Sequence, residues 1–340
     1  MPDTFVVNDF IEHLDQKEKE FSSMSNYVDR NSIKKKIDIL NRVLNFLLAS
    51  NINTDLSEKD IVKFYKKVSA NKNYMSLKEH IYFNAVKNQR LTCYEEIFEN
   101  SFINKEFCFK VFLSQVNKQS GVYFIPCDSG KCEELKEELG LIVIGTDFCF
   151  DDFYEDKKIV GKVISKEMNG IEVCQHPCNS MIIVDPYIFK PGKGRVDKTP
   201  NIIRMIKAFM SEKLSVKFHL LILTEDPINY HLDYLDYQSK INKILQELGG
   251  PEKILIEVYT STTMHFDDRI ILTNYANINI GHPYDRDTYL NCVIFFADTD
   301  EINIRNNYSE YLKLHNLIKN NIQKNIFRTA ENETNRLFSY

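Results

Sequence analysis

The sequence has no tryptophan, no apolar run near the roughly 20 residues that span a bilayer, no internal repeat and no low-complexity tract. The missing tryptophan accompanies abundant Asn, Lys and Ile, a compositional bias that carries little mechanism. The lack of a long apolar run excludes a membrane-spanning helix from the expectations. The opening stretch, MPDTFVVNDFIEHLDQ, lacks a basic-then-apolar signal segment, so a cytoplasmic location is expected. A strong positive field is also missing. Lys and Arg number 43 against 48 Asp and Glu, a net charge of −5, which argues against broad, sequence-independent nucleic-acid binding. Local basic sites remain, at Lys34-Lys35-Lys36 and between Lys190 and Lys198; the ordinary role of such runs is a solvated face.

What is present suits a globular protein. The 340 residues are 43% hydrophobic and 27% charged, enough for about two domains and a sizeable core. The eight cysteines are expected to be mostly reduced thiols. Cys127 and Cys132 flank a turn, and Cys174, His176 and Cys178 fall within five residues. These are donor types that zinc takes, although buried free cysteine is the commoner use. No metal or other cofactor is expected, and the zinc question stays open.

Residues 1–105 read as helical. Ile33, Ile37, Leu40, Val43, Leu44, Leu47 and Leu48 recur at helical spacing. Ser57 with Asp60, Thr92 with Glu95, and Ser76 fit helix starts. Residues 106–178 form a mixed connecting section. Phe107–Leu113, Val122–Ile125, Leu141–Ile144 and Val160–Ile164 are β-prone, and Lys131–Gly140 reads as a helix ending in glycine. This section either completes the following sheet or forms its own. The acidic stretch Asp147–Asp156 reads as an exposed loop.

Residues 179–340 read as an α/β domain: a mostly parallel sheet with flanking helices. Strands are expected at Met181–Val184, Val216–Leu223, Ile254–Tyr259, Arg269–Ile280 and Cys292–Ala297. Helices are expected at Ile202–Phe209, Ile241–Leu248 and Ser309–Phe327. Ligands of such sheets gather outside the carboxyl ends of the parallel strands. Three features fall there: Asp185-Pro186-Tyr187, Thr224-Glu225-Asp226, and the segment from Thr260 that carries His265, Asp268 and Arg269. Arginine supplies a forked donor for phosphate oxygens, histidine a nucleophile or proton carrier, and aspartate an orienting acceptor. Each also has a plain structural use: a turn, a surface histidine, a local ion pair.

These residues carry a resemblance. Ile183–Ala297 resembles the phospholipase-D-like superfamily, whose motif is His, any residue, Lys, four residues, Asp, then six residues and Gly-Ser. With Arg269 at the Lys place, Asn274 falls at the Asp place and Gly281 at the Gly. Three residues rather than one separate His265 from Arg269, and His282 stands for Ser. There is one copy of the motif, where the enzymes bring two histidines together. The compact His265-Phe-Asp-Asp268-Arg269 is also similar to the phospholipase-D-like domain at the C-terminal end of some MIT-domain proteins, and to bacterial relatives. Those eukaryotic domains are regarded as binding modules.

The resemblance implies a module binding a phosphorylated ligand or nucleic acid, with Tyr187, Asn274, Gly281 and His282 lining the site. It does not reach the N-terminal helices, which on the binding-module reading would recruit a protein partner. Its alternative is a metal-independent phosphodiesterase or nuclease. There His265 attacks phosphorus, Arg269 stabilises the developing charge, and Asp185 or Asp268 orients the imidazole. The second histidine would come from a homodimer, from His282 or from His219. A role in bacterial anti-phage defence is the family-level association. A third reading is a metal-dependent nuclease with Asp185 and Glu257 as ligands; such enzymes usually place Lys two residues after the second acid, where Tyr259 stands.

Overall fold

The structure is a computed structural model. It describes residues 3–6, 8–24, 30–49, 51–54, 122–124, 128–140, 142–145, 158–163, 178–191, 197–230, 233–261, 269–273, 276–280, 290–296, 313, 316–320 and 324–329. The chain divides into two compact units, residues 1–133, 142–155 and 298–305 in one and 134–141, 156–297 and 306–340 in the other.

The first unit opens with strand β1 (Asp3–Val6) and helices α1 (Asn8–Met24) and α2 (Arg30–Ala49). Strands β2 (Asn51–Thr54), β3 (Val122–Phe124) and β4 (Ile142–Ile144) complete a four-stranded sheet, ordered β2-β1-β3-β4 and parallel throughout. The helical stripe of α2 is real: Ile33, Leu40, Val43 and Leu47 are buried, as are Phe10, Ile11 and Leu14 of α1. The region is not wholly helical, however. β1 and β2 bracket the two helices. Helix α3 (Ser129–Leu139) begins in this unit and from Glu134 belongs to the second. There Lys213 Nζ pairs with Glu137 and Ser215 N–H donates to Glu138 O at 2.7 Å. Gly140 ends the helix at φ +61°, where a Cβ would stand 2.7 Å from Asn179 Cβ.

The second unit holds β5 (Lys158–Val163), β6 (Ser180–Val184), β7 (Phe218–Glu225), β8 (Ile254–Ser261), β9 (Arg269–Thr273), β10 (Ala276–Ile280), β11 (Leu290–Phe296) and β12 (Lys324–Arg328). Their order is β12-β8-β7-β6-β9-β10-β11-β5. β6, β7 and β8 are parallel and every other pair is antiparallel. The sheet is therefore mixed with a parallel centre, not mostly parallel. The connecting section is shared out: β3 and β4 join the first sheet and β5 the second.

The central strands are apolar on both faces, as strands covered on both sides must be. Met181, Ile183, Leu220, Ile222, Ile256 and Val258 pack against Ile202, Met205, Ile206 and Phe209 of helix α4 (Thr199–Phe209) and Tyr237, Ile241 and Ile244 of helix α5 (Tyr234–Glu247). The alternate residues Ile182, Val184, Leu221, Leu223 and Leu272 face the other way, onto Ile318. Each fully buried aliphatic side chain contributes about 1.5–3 kcal/mol. Asp233 caps α5 by accepting Leu235 N–H at 3.1 Å, and Gly249 and Gly250 follow it at positive φ.

Two expectations need correction here. Arg269–Ile280 is not one strand but a hairpin of β9 and β10; its Asn-Tyr link lacks the glycine that marks tight turns. The expected helix Ser309–Phe327 is helical at residues 316–320 and becomes β12 from Lys324. Pairing with β8 outweighs local helical preference there, with a register shift between Asn325 and Phe327. Ser57, Asp60, Ser76, Thr92, Glu95, Phe107–Leu113 and Asp147–Asp156 lie outside the described residues.

Candidate functional site

The carboxyl ends of β6, β7 and β8 share one edge of the sheet. Val184 pairs with Leu223, and Glu225 with Ser261. β9 runs the other way, with Ile270 opposite Val184, so it starts where the parallel strands stop. That topology places Arg269 beside Asp185.

Asp185 leaves β6 with its own N–H bonded to Leu223 O at 3.1 Å. The next carbonyl, Pro186 O, accepts from Thr224 Oγ1 at 3.1 Å and from Glu225 N–H at 3.3 Å, tying the turn to β7. Asp185 Oδ1 accepts from Tyr187 N–H at 2.8 Å and Arg269 Nε at 3.2 Å. The Asp185 side chain is 1% exposed and that of Arg269 17%. Asp185 Oδ2 is buried and, among the described residues, has no hydrogen-bond partner. Burial pushes the carboxyl above the ordinary aspartate value. It outweighs the Arg269 guanidinium, the Tyr187 N–H and the Lys198 ammonium, all of which pull it down.

Arg269 spends only its Nε on Asp185. Among the described residues neither of its Nη groups has an acceptor, while Cζ lies 5.5 Å from the Tyr187 ring centroid. The arginine is thus held in place by one nitrogen and one ring, with its two terminal donors left over. Three lysines surround the same turn. Lys190 Nζ lies 5.4 Å from the Tyr187 centroid, Lys198 Nζ approaches Tyr187 O at 3.4 Å, and Lys240 Nζ donates to Phe189 O at 2.6 Å. Burial lowers the Lys240 pKa against the pull of Asp197 and Asp236. The side toward β7 is acidic instead: Glu225 and Asp226 follow the strand, and Asp226 is engaged by Ile228 N–H and Tyr234 Oη.

Tyr237 lies under this edge, fully buried, its ring edge-on to Phe189 at 4.9 Å. Burial, then Glu225 and Asp226, raise its pKa. Its hydroxyl makes no hydrogen bond among the described residues, although the Thr224 hydroxyl beside it pulls that pKa down. Nothing in the sequence signals this residue: it occupies an ordinary core position of an amphipathic helix.

His265, Asp268, Asn274, Gly281 and His282 lie outside the described residues. What is described is the anchoring of the 262–268 segment. It starts after Ser261 and ends before Arg269, on the same sheet edge, with the ends of β7 and β6 between its anchors. Three strand spacings separate the anchors, about 14 Å. In sequence, His265 and Asp268 fall between these two anchors.

His219, one of the candidates for a second histidine, lies at the other end of the sheet from Asp185. It pairs with Ser180, five residues before Asp185 and so about 16 Å away along the strand. Glu257 does not join Asp185 either. It is 1% exposed and bound by Arg328, whose Nε lies 2.8 Å from Glu257 Oε1. Among the described residues no group of three or more His, Cys, Asp or Glu side chains could hold a metal ion. Cys132 is buried and disulfide-bonded, and Cys178 is a buried thiol donating to Ser180 O at 3.2 Å. Cys127, Cys174 and His176 are outside the described residues. Among those described, no helix is long and apolar enough to cross a membrane. Compared with family models, curated proteins and solved structures, the chain has no match in any of the three.

Proposed function

We propose that the second unit is a phospholipase-D-like domain that binds a phosphorylated ligand or nucleic acid at the Asp185–Arg269 edge. The observation that carries this reading is Arg269. A guanidinium 17% exposed, fixed through Nε by a buried carboxylate, presents two terminal nitrogens with no protein acceptor among the described residues. That is the fork a phosphate oxygen pair takes. Lys190 and Lys198 add positive charge beside it. In sequence, His265 and Asp268 stand between β8 and β9, whose ends meet at this edge.

The second reading, a phosphodiesterase with His265 as nucleophile, is favoured by one observation: Asp185 Oδ2 is an unspent buried acceptor at this edge, suited to orient an imidazole N–H. One experiment separates the two. A fluorescein-labelled single-stranded oligonucleotide is titrated in EDTA with wild type, Arg269→Gln and His265→Ala, and each mixture is then run on a gel. Binding weakened at least roughly tenfold by Arg269→Gln, the scale of one charge-assisted contact, with the strand intact, supports the binding module. Cleavage that disappears in His265→Ala establishes the enzyme. Failure to bind the oligonucleotide, inorganic pyrophosphate or vesicles containing phosphatidic acid would sink both.

A further inference from the structure

Both donors that Asp185 receives among the described residues fall on one oxygen. Oδ1 takes Tyr187 N–H at 2.8 Å and Arg269 Nε at 3.2 Å, while the buried Oδ2 takes none. An ionised carboxylate placed like this lacks the hydrogen bonds that offset its burial, and a proton on the bare oxygen relieves it. The neighbours suit the neutral form. Arg269 on β9, Thr224 on β7 and Thr260 on β8 each stand two residues from Ile271, Ile222 and Val258, core residues of the face that α4 and α5 cover. Thr224 and Thr260 are buried and do not titrate. Tyr237 from α5 has its pKa raised and stays neutral. Two cations favour the charged carboxylate, Arg269 from β9 and Lys198 from the start of α4, and burial outweighs them. The charge at this edge therefore turns on one proton. With Asp185 neutral, the arginine that keeps two unspent nitrogens carries an uncompensated charge. With Asp185 ionised the pair sums to zero, and an anion at Arg269 also meets the carboxylate.

We infer that anion binding at this edge is coupled to the protonation of Asp185: a phosphate group is held at Arg269 while Asp185 is neutral and is released as Asp185 ionises. This rests on the phosphate-directed reading and adds its regulation. The coupling is reciprocal. A bound anion disfavours the ionised carboxylate, so binding takes up a proton in the range where Asp185 titrates. Affinity is full below that range and falls as pH rises through it.

The test measures binding of an unlabelled oligothymidylate, which does not titrate near neutrality, by calorimetry from about pH 5 to pH 8, a span that buried carboxyls reach. Wild type is expected to lose affinity about tenfold across it, the scale of one charge-assisted contact. It should also take up protons on binding, seen as a heat that changes with the ionisation heat of the buffer. His265→Ala should keep both effects. Asp185→Asn should remove both and hold the low-pH affinity throughout. A flat wild-type profile overturns the coupling and leaves phosphate recognition standing. Effects that persist in Asp185→Asn, or vanish in His265→Ala, place the titrating group elsewhere and also overturn it. If Asp185→Asn does not fold, proton uptake by His265→Ala decides, its absence overturning the coupling. If only inorganic pyrophosphate or phosphatidic acid vesicles bind, wild type and Asp185→Asn are compared on those, and identical pH profiles overturn it. No binding of any of the three probes removes the phosphate reading itself.

Discussion

Two carboxylates sit in the second unit at the same depth, Asp185 and Glu257, each 1% exposed and each paired with an arginine from an antiparallel strand. They are put to different uses. Arg328 approaches Glu257 Oε1 with both Nε and Nη2, and Nη2 also lies 3.4 Å from Tyr259 Oη. That arginine is absorbed by its partners and stitches β12 to β8. Asp185 receives a single 3.2 Å contact from Arg269, keeps Oδ2 without a partner among the described residues, and leaves both Nη groups of its arginine over. The Arg328–Glu257 pair consumes its hydrogen-bonding capacity; the pair proposed for recognition keeps some back. The bulge in β12 underlines the first case. Were Ile326 paired with Val258 in continuous register, Phe327 rather than Arg328 would lie opposite Glu257.

The largest expected effect separates the two pairs by stability. Arg328→Ala strands a buried carboxylate and should cost about 3 kcal/mol, the low end for a broken buried pair because Arg328 is 26% exposed. Arg269→Ala should cost less, since Asp185 receives one contact from its arginine where Glu257 receives two. Urea unfolding of both variants checks the order, and an equal loss would erase the distinction drawn above.

A smaller effect appears in pH dependence. Burial raises the folded-state pKa of Asp185 above the ordinary value of 3.8. Between that value and the folded pKa the native protein holds a proton that the unfolded chain releases, so this group's contribution to stability falls as pH rises. Asp185→Asn keeps an acceptor for Arg269 and lacks the titration. Its stability relative to wild type should therefore increase as pH rises above about 4 and level off once the folded carboxyl has ionised. A relative stability that decreases with pH would mean that Arg269, not burial, governs the carboxyl. The smallest effect belongs to Tyr237. Its hydroxyl is buried without a partner among the described residues, so Tyr237→Phe should leave the unfolding free energy unchanged or raise it by up to about 1 kcal/mol. A clear loss of stability would show that a water or a ligand atom normally completes that hydroxyl.

Local signals carried much of the second unit. Apolar runs at Met181–Val184, Val216–Leu223 and Ile254–Tyr259 marked central strands, because a strand covered on both faces has no polar alternation to lose. The expectation that chemistry gathers after those strands pointed to Asp185, Tyr187 and Arg269, which the structure brings together. Lys240, Tyr237 and Arg328 gave no such warning. Each sits at an ordinary position in a helix or an edge strand, and its partner comes from a distant part of the sequence, Phe189 for Lys240 and Tyr237, Glu257 for Arg328.

By itself the sequence determined where the central strands and their covering helices lie, since hydrophobic periodicity and helix stops act over a few residues. It also determined that acid, aromatic ring and arginine would fall at strand ends. Only the tertiary structure decided that β9 turns back against β6, that a one-residue bulge sets Arg328 on Glu257, and that Arg269 keeps its two terminal nitrogens while Arg328 spends its own. Strand order and register are settled by pairing between distant segments, and no stretch of chain read alone contains its partner.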